Sequence, residues 1–235
     1  MDFIKYIDGT SGSSGNCHLL AIEELKTVVL LDIGVPFKTV FGYMKQVEFD
    51  VEHVVVCVTH EHGDHWKRTT YDQIKKKYDD VWLMFRQYPT KGQEGVRFFN
   101  KLVNKNIKLL VTQHQFSHGS TESSIYRLCI IEWVNRQPVE RVMYATDIDP
   151  NNATAIAKSD LFHDMDLMMI EANYDDRHFM DFVMNPSRFI SFGYDVSGGF
   201  VRHLSKQQSE MIVAEQKPKE VMYIHKSTRF YDYEE

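Results

Sequence analysis

The chemistry in this chain concentrates in Thr59-His60-Glu61-His62-Gly63-Asp64-His65. Three histidines and an aspartate fall within six residues, directly after the apolar run Val54-Val55-Val56-Cys57-Val58. The sequence predicts a buried strand that ends there and releases a tight loop. In extended or looping backbone His60 and His62 point the same way, while Asp64 and His65 point to a second spot nearby. That spacing can feed two adjacent metal ions, and zinc takes neutral imidazole and carboxylate ligands readily. One histidine in a surface loop would carry no such meaning, but H-x-H-x-D-H behind a buried strand does. Glu61 lies inside the motif and is expected to point away.

The elements that must position this loop follow from periodicity and turn residues. Phe3–Ile7 reads as a first strand, followed by the turn-rich Gly9–Asn16. That loop either cradles a phosphate through its N–H groups or simply joins two strands. His18–Glu23 and Thr27–Asp32 read as a hairpin, Pro36–Met44 and Lys67–Tyr78 as helices, and Val51–Thr59 as the strand before the loop. Val81–Phe85 is a further strand and Gln93–Asn100 a helix carrying Phe98 and Phe99. Leu109–Phe116 runs into Ser117-His118-Gly119-Ser120. A second hairpin covers Ser124–Val134 and Val139–Thr146. Leu167–Ile170 ends at Glu171, Ser205 caps a helix reaching about Gln216, and Glu220–Ile224 delivers His225. Thr59, Asp147, Glu171 and His225 thus all stand at the C-terminal ends of apolar strands, where layered α/β folds assemble their sites. An aspartate such as Asp32 at a strand end can hold a neighbouring loop by accepting N–H bonds without being a ligand. Strand pairs, then helix alternation, then the same sequence again predict an α/β fold. Its expected form is an αββα sandwich of two sheets flanked by helices, one domain over residues 1–235.

The chain has 235 residues, 43% of them hydrophobic, enough for a sizeable core. Its net charge of -6 gives no global basic footprint for nucleic acid. Cys17, Cys57 and Cys129 form no disulfide framework or zinc knuckle, and Met1–Lys5 lacks the pattern of a signal peptide, so a reduced cytoplasm is expected. Cys57 is expected in the core and Cys17 in packing. No apolar run approaches a membrane span.

The pattern resembles the metallo-β-lactamase superfamily, in the ribonuclease Z and YycJ-like exonuclease branch. Ser11-Gly12-Ser13-Ser14-Gly15-Asn16 resembles the early S-G-S-x-G-N loop of the YycJ group, and Leu31-Asp32-Ile33-Gly34 the D-x-G of the superfamily. Ser117-His118 followed by Tyr126 is similar to the third-histidine segment, and Thr146-Asp147 to the bridging-aspartate strand. Glu171-Ala172-Asn173, His203-Leu204-Ser205 and His225-Lys226-Ser227 resemble the later motifs. The resemblance implies that His60, His62 and His118 hold one divalent ion and Asp64, His65 and His225 the other, with Asp147 bridging. Zinc is the implied metal and manganese the alternative. It gives Asp64 a part in steering the nucleophilic water, and His203 a part in contacting phosphate and protonating the leaving oxygen. Strand parity alone lets either His114 or His118 face the site. His18, His53, His163 and His178 have no ligand-like companions and are expected in structural or surface roles.

The intact H-x-H-x-D-H argues against the diiron branch of that superfamily, and the bridging Asp147, the His225 segment and His203-Leu204-Ser205 favour phosphodiester chemistry. Gly119, Arg202 and Lys206 depart from the exonuclease-like pattern, which has Asp, Gly and Asn there. With the acidic charge, these departures favour a small phosphodiester. The chain is similar to phage anti-Pycsar hydrolases, which open cyclic mononucleotides such as cyclic CMP and cyclic UMP and so counter host immune signalling. A homodimer is implied by that resemblance alone. Phe192, Tyr194 and Phe200 either stack on a base or pack in the core. Gly198-Gly199 are expected to let their loop move or reach a partner subunit. The alternatives are a nuclease on DNA or RNA and a non-catalytic protein that sequesters nucleotides. Whether Lys67, Arg68, Arg86, Lys91 and Arg97 gather on one face is open from sequence.

Overall fold

Residues 1–85, 102–187 and 196–231 are described by a computed structural model. The expected helix over Gln93–Asn100, with Phe98 and Phe99, lies outside the described residues, as do Arg86, Lys91, Arg97, Phe192 and Tyr194.

The chain falls into two compact units, residues 1–113 with 126–142, and residues 114–125 with 143–235. It builds two five-stranded sheets. The first has the order β1 (Lys5–Thr10), β2 (Cys17–Ile22), β3 (Thr27–Leu31), β4 (His53–Cys57), β5 (Asp80–Met84). The first three strands pair antiparallel; β3, β4 and β5 are parallel. Helices α1 (Phe37–Met44) and α2 (Arg68–Lys77) supply the two crossovers that parallel pairing requires. Every residue of β3 is buried, as expected of a parallel strand covered on both faces. The second sheet has the order β10 (Glu220–Ile224), β9 (Leu167–Glu171), β8 (Pro138–Ala145), β7 (Thr121–Glu132), β6 (Ile107–His118). Helices α3 (Ala153–Ala157), α4 (Asp176–Met184), α5 (Ser197–Arg202) and α6 (Lys206–Gln216) complete the described elements. Among the described residues no helix is long and apolar enough to cross a membrane.

Register decides what meets at the strand ends. Leu31 pairs with Cys57 and Cys57 with Met84, so β3, β4 and β5 stop level. The residues that follow, Asp32, Val58-Thr59 and Phe85, therefore emerge side by side. In the other sheet Ile224 pairs with Glu171, which sets His225 beside the end of β9. Each unit has its own apolar core. One gathers Leu19, Leu30, Val54, Val56 and Ile74; the other gathers Met143, Ile156, Phe162, Ile170 and Ile212.

Some expectations change here. β6 and β7 are neighbours separated only by Gly119 and Ser120, so His118 stands at the tip of a tight hairpin. Gly119 takes φ +58°, the conformation such two-residue turns need. Gly198 and Gly199 are not a loop but part of α5. Phe200 is not available to a base: it is buried against Tyr174, Val196, Phe179, Phe182 and Phe230. Cys17, Cys57 and Cys129 are buried free thiols, and burial pushes the Cys17 and Cys57 thiols well up, away from reactivity.

Tyr126 shows how the strand ends are held. Its buried hydroxyl donates to the carbonyls of Val58, at 2.8 Å, and Met84, at 2.7 Å. Tyr126→Phe should therefore lower stability by about 1–2 kcal/mol, by loss of the hydroxyl's bonds at two buried carbonyls. A lower urea midpoint at unchanged slope checks this; an unmoved midpoint contradicts it.

Candidate metal centre

In the first unit the site grows from one buried carboxylate. Asp32 follows β3 with φ +59°, a left-handed conformation that turns its side chain across the ends of the parallel strands. Its Oδ1 accepts from the Thr59 N–H at 2.7 Å and its Oδ2 meets His65 Nδ1 at 2.7 Å. Asp32 and His65 side chains are both fully buried. An imidazole whose Nδ1 is held by a carboxylate presents Nε2 in a fixed direction, the arrangement that orients metal-bound histidines. The Thr59 hydroxyl donates to Asp32 and touches Nδ1 of His60, at 3.1 Å, and of His65, at 3.2 Å. His60 Nε2 lies 2.9 Å from His62 Nδ1, and the His60 and His65 rings are 4.2 Å apart. Asp64 Oδ2 is 3.5 Å from His65 Nε2. Glu61 is exposed, as expected.

The glycine-rich loop buttresses this arrangement. Asn16 receives the Gly12 N–H on its Oδ1 at 2.8 Å, and its amide donates to the Asp64 carbonyl at 3.2 Å and reaches His65 Nε2 at 3.0 Å. Its own N–H donates to the Asp64 carbonyl at 2.6 Å. Gly34 is required at its place: a Cβ there would sit 1.7 Å from the Asp64 carbonyl oxygen. Asp32 and Gly34 thus have different jobs, one orienting His65 and the other admitting the metal-loop backbone.

In the second unit Glu171 plays the organising part. It is fully buried at the end of β9. Its Oε2 accepts from the Asp147 N–H at 2.9 Å, and its Oε1 from the Ile148 N–H at 2.7 Å and the Leu204 N–H at 3.0 Å. His203 Nδ1 lies 3.1 Å from Glu171 Oε2 and 2.9 Å from Asp147 Oδ1. His225 Nδ1 lies 3.4 Å from the same Asp147 oxygen. Asp147 and His225, like Asp32, close their strands in left-handed backbone, at φ +54° and +52°. Burial alone would lower the His203 pKa, but the Asp147 and Glu171 carboxylates outweigh it and push it up to about 10. The His118 ring centroid is 5.1 Å from that of His203, and its Nδ1 donates to the Arg202 carbonyl at 2.9 Å. Burial lowers the His118 pKa, against the pull of Asp147, and so favours a neutral imidazole. His114 instead packs edge-on against Phe162.

These donor sets fit divalent metal. Ligand atoms of Asp147, Glu171, His203 and His225 all lie within 4.8 Å of one another. In the other unit the nitrogens of His60 and His62 converge to hydrogen-bond distance, with His65 beside them. Neutral imidazole and carboxylate are the ligands zinc takes. Of the residues singled out in the sequence, His60, His62, Asp64 and His65 come together in one unit. His118, Asp147, His203 and His225 come together in the other. The remaining histidines are placed elsewhere: His18 meets the Tyr6 hydroxyl, His53 pairs with Asp80, and His178 packs on Phe230. Glu171, Thr59 and Asn16 act as organisers, a role the sequence signalled only by a strand-end position, a turn-rich loop and, for Glu171 and Asn16, a resembling motif.

No family model and no curated protein sequence matches the chain. Solved structures do. The short form of human tRNase Z superposes with a TM-score of 0.51 at 11% identity, covering 96% of this chain and 93% of that one. A long-form RNase Z from yeast superposes with a TM-score of 0.60 at 11% identity, covering 98% of this chain but only 38% of that one. The likeness establishes the fold: a mixed α/β architecture of two sheets flanked by helices, of the metallo-β-lactamase type.

Asp32→Asn keeps the shape of the side chain but removes the charge that orients His65. It should weaken metal binding by about 10–100-fold. Zinc titration of chelator-stripped protein by calorimetry checks this; unchanged affinity would show that His65 needs no such support.

Proposed function

We propose that this chain is a dinuclear-metal phosphodiesterase that opens small cyclic nucleotides, such as cyclic CMP and cyclic UMP, to nucleoside monophosphates. The observation that carries the reading is the donor set: imidazoles and carboxylates alone, delivered to the ends of strands by two buried organising acids. In this proposal His60, His62 and His118 would hold one ion and Asp64, His65 and His225 the other, with Asp147 available to both. Zinc is the metal the donor chemistry favours, with manganese as the alternative. Two such ions supply Lewis acidity and a water nucleophile available at neutral pH.

The side chains then divide the work. Asp64, at the rim of the His65 cluster, orients the attacking water and takes up its proton. His203 stands ready to donate: Glu171 holds its Nδ1, which leaves the Nε2 proton for the departing ribose oxygen. Glu171 also fixes the backbone on either side, at Asp147-Ile148 and at Leu204, so acid and ligands share one anchor.

A small substrate is favoured by charge. A duplex exonuclease needs many Lys and Arg contacts to phosphates, whereas this chain carries -6. Of the basic residues in question Arg68 is already paired with Asp72. The likeness to two RNase Z structures supports a second reading, a metal-dependent nuclease acting on RNA or DNA. A cytoplasmic homodimer that removes a host cyclic-nucleotide signal completes the first reading.

Zinc-loaded protein offered cyclic mononucleotides, precursor transfer RNA and end-labelled duplex DNA separates these readings. Conversion of cyclic CMP or cyclic UMP with the polymers intact is the expected result. Asp64→Ala should lower that rate by about 10²–10⁴-fold, and a chelator should abolish it. Cleavage of a polymer with cyclic nucleotides untouched sinks the first reading in favour of the second. Tight binding without turnover would mark a sequestering protein.

A further inference from the structure

Arg202 ends α5 and is exposed, one residue before His203. Its carbonyl accepts the His118 Nδ1–H, so its backbone is fixed to one site histidine and continuous with the other. Its side chain lies against the Gly119 turn and near Gly198. A Cβ on Gly119 would sit 3.1 Å from Arg202 Nε and 3.2 Å from its Cδ, and a Cβ on Gly198 would sit 3.8 Å from its Cζ. Asp149, which reaches across to this turn, is engaged with the Gly119 N–H at 2.8 Å. Among the described residues the Arg202 guanidinium forms no ion pair, in contrast to Arg68 and Lys219. On a protein of charge -6, a cation whose side chain lies over Gly119, the neighbour of His118, with its donors unspent is matched to an incoming anion.

We infer that Arg202 is a specificity-determining anion grip, whose guanidinium takes a phosphate oxygen of the substrate and of the nucleoside monophosphate product. The inference rests on the phosphodiesterase reading for the identity of the anion. Arg suits the task because its planar fork offers two parallel N–H donors to phosphate, where a lysine offers a point charge. Gly119 serves the same purpose indirectly, because any side chain there would press on Nε and Cδ and shift the fork.

The test is calorimetric titration of the zinc-loaded full chain with cytidine monophosphate. Arg202→Ala should weaken binding by about 10–100-fold, the range of a charge-assisted hydrogen bond, and Arg202→Lys by less. Gly119→Ala should weaken binding in the wild-type background and add nothing to Arg202→Ala, which a purely structural effect on the hairpin would not do. Binding by Arg202→Ala within about twofold of wild type, or no binding by wild type, overturns the assignment. Cyclic-nucleotide turnover is measured separately. Its absence in wild type would defeat the phosphodiesterase reading, while the titration still decides Arg202.

Discussion

Two buried carboxylates organise the candidate ligands, one in each unit. Burying a carboxylate without partners is costly, so each must be met by donors at close range. Asp32 is met by the Thr59 N–H and hydroxyl and by His65. Glu171 is met by three N–H groups, from Asp147, Ile148 and Leu204, and by His203. The consequence is mechanical. Segments distant in sequence cannot separate without stranding a buried charge, so the residues that carry the chemistry inherit a fixed position. Asp32 governs the loop of His60–His65, and Glu171 governs Asp147 and His203.

The same economy appears in the backbone. Three strands, β3, β8 and β10, are followed within two residues by a non-glycine residue of positive φ: Asp32, Asp147 and His225. Each such residue costs about 1–3 kcal/mol and persists only where its surroundings over-determine it. Here the surroundings are the level strand ends and the hydrogen bonds of the two acids. The left-handed turn swings the side chain across the ends of the neighbouring strands. Gly34, pressed against the Asp64 carbonyl, completes the device by letting the metal loop lie on the end of β3.

Much of this was legible in the sequence because chemistry and periodicity point the same way. H-x-H-x-D-H after a valine run marked the donor cluster of the first unit, and strand-end polar residues marked Asp147, Glu171 and His225 in the second. The two-sheet fold followed from the order of hairpins and helices. The supporting contacts were not legible. A buried glutamate that gathers three N–H groups looks in sequence like any acid after a strand. Asn16 looks like a turn residue, because its partners, Asp64 and His65, lie nearly fifty residues away. Gly198-Gly199 misled for the opposite reason. Glycine pairs favour turns by propensity, but helical propensity is a weak prior that tertiary context overrides, and α5 forms through them. Parity could not choose between His114 and His118; Phe162 and Arg202 do, by packing against one and accepting a hydrogen bond from the other.

The central claim is that these donors serve two metal ions. The most direct measurement is anomalous diffraction at the zinc edge from crystals of chelator-stripped protein reloaded with zinc. The account predicts two ions, about 3.5–4 Å apart, with His60, His62 and His118 on one, Asp64, His65 and His225 on the other, and Asp147 between them. A single ion, or ions bound away from these residues, would contradict it.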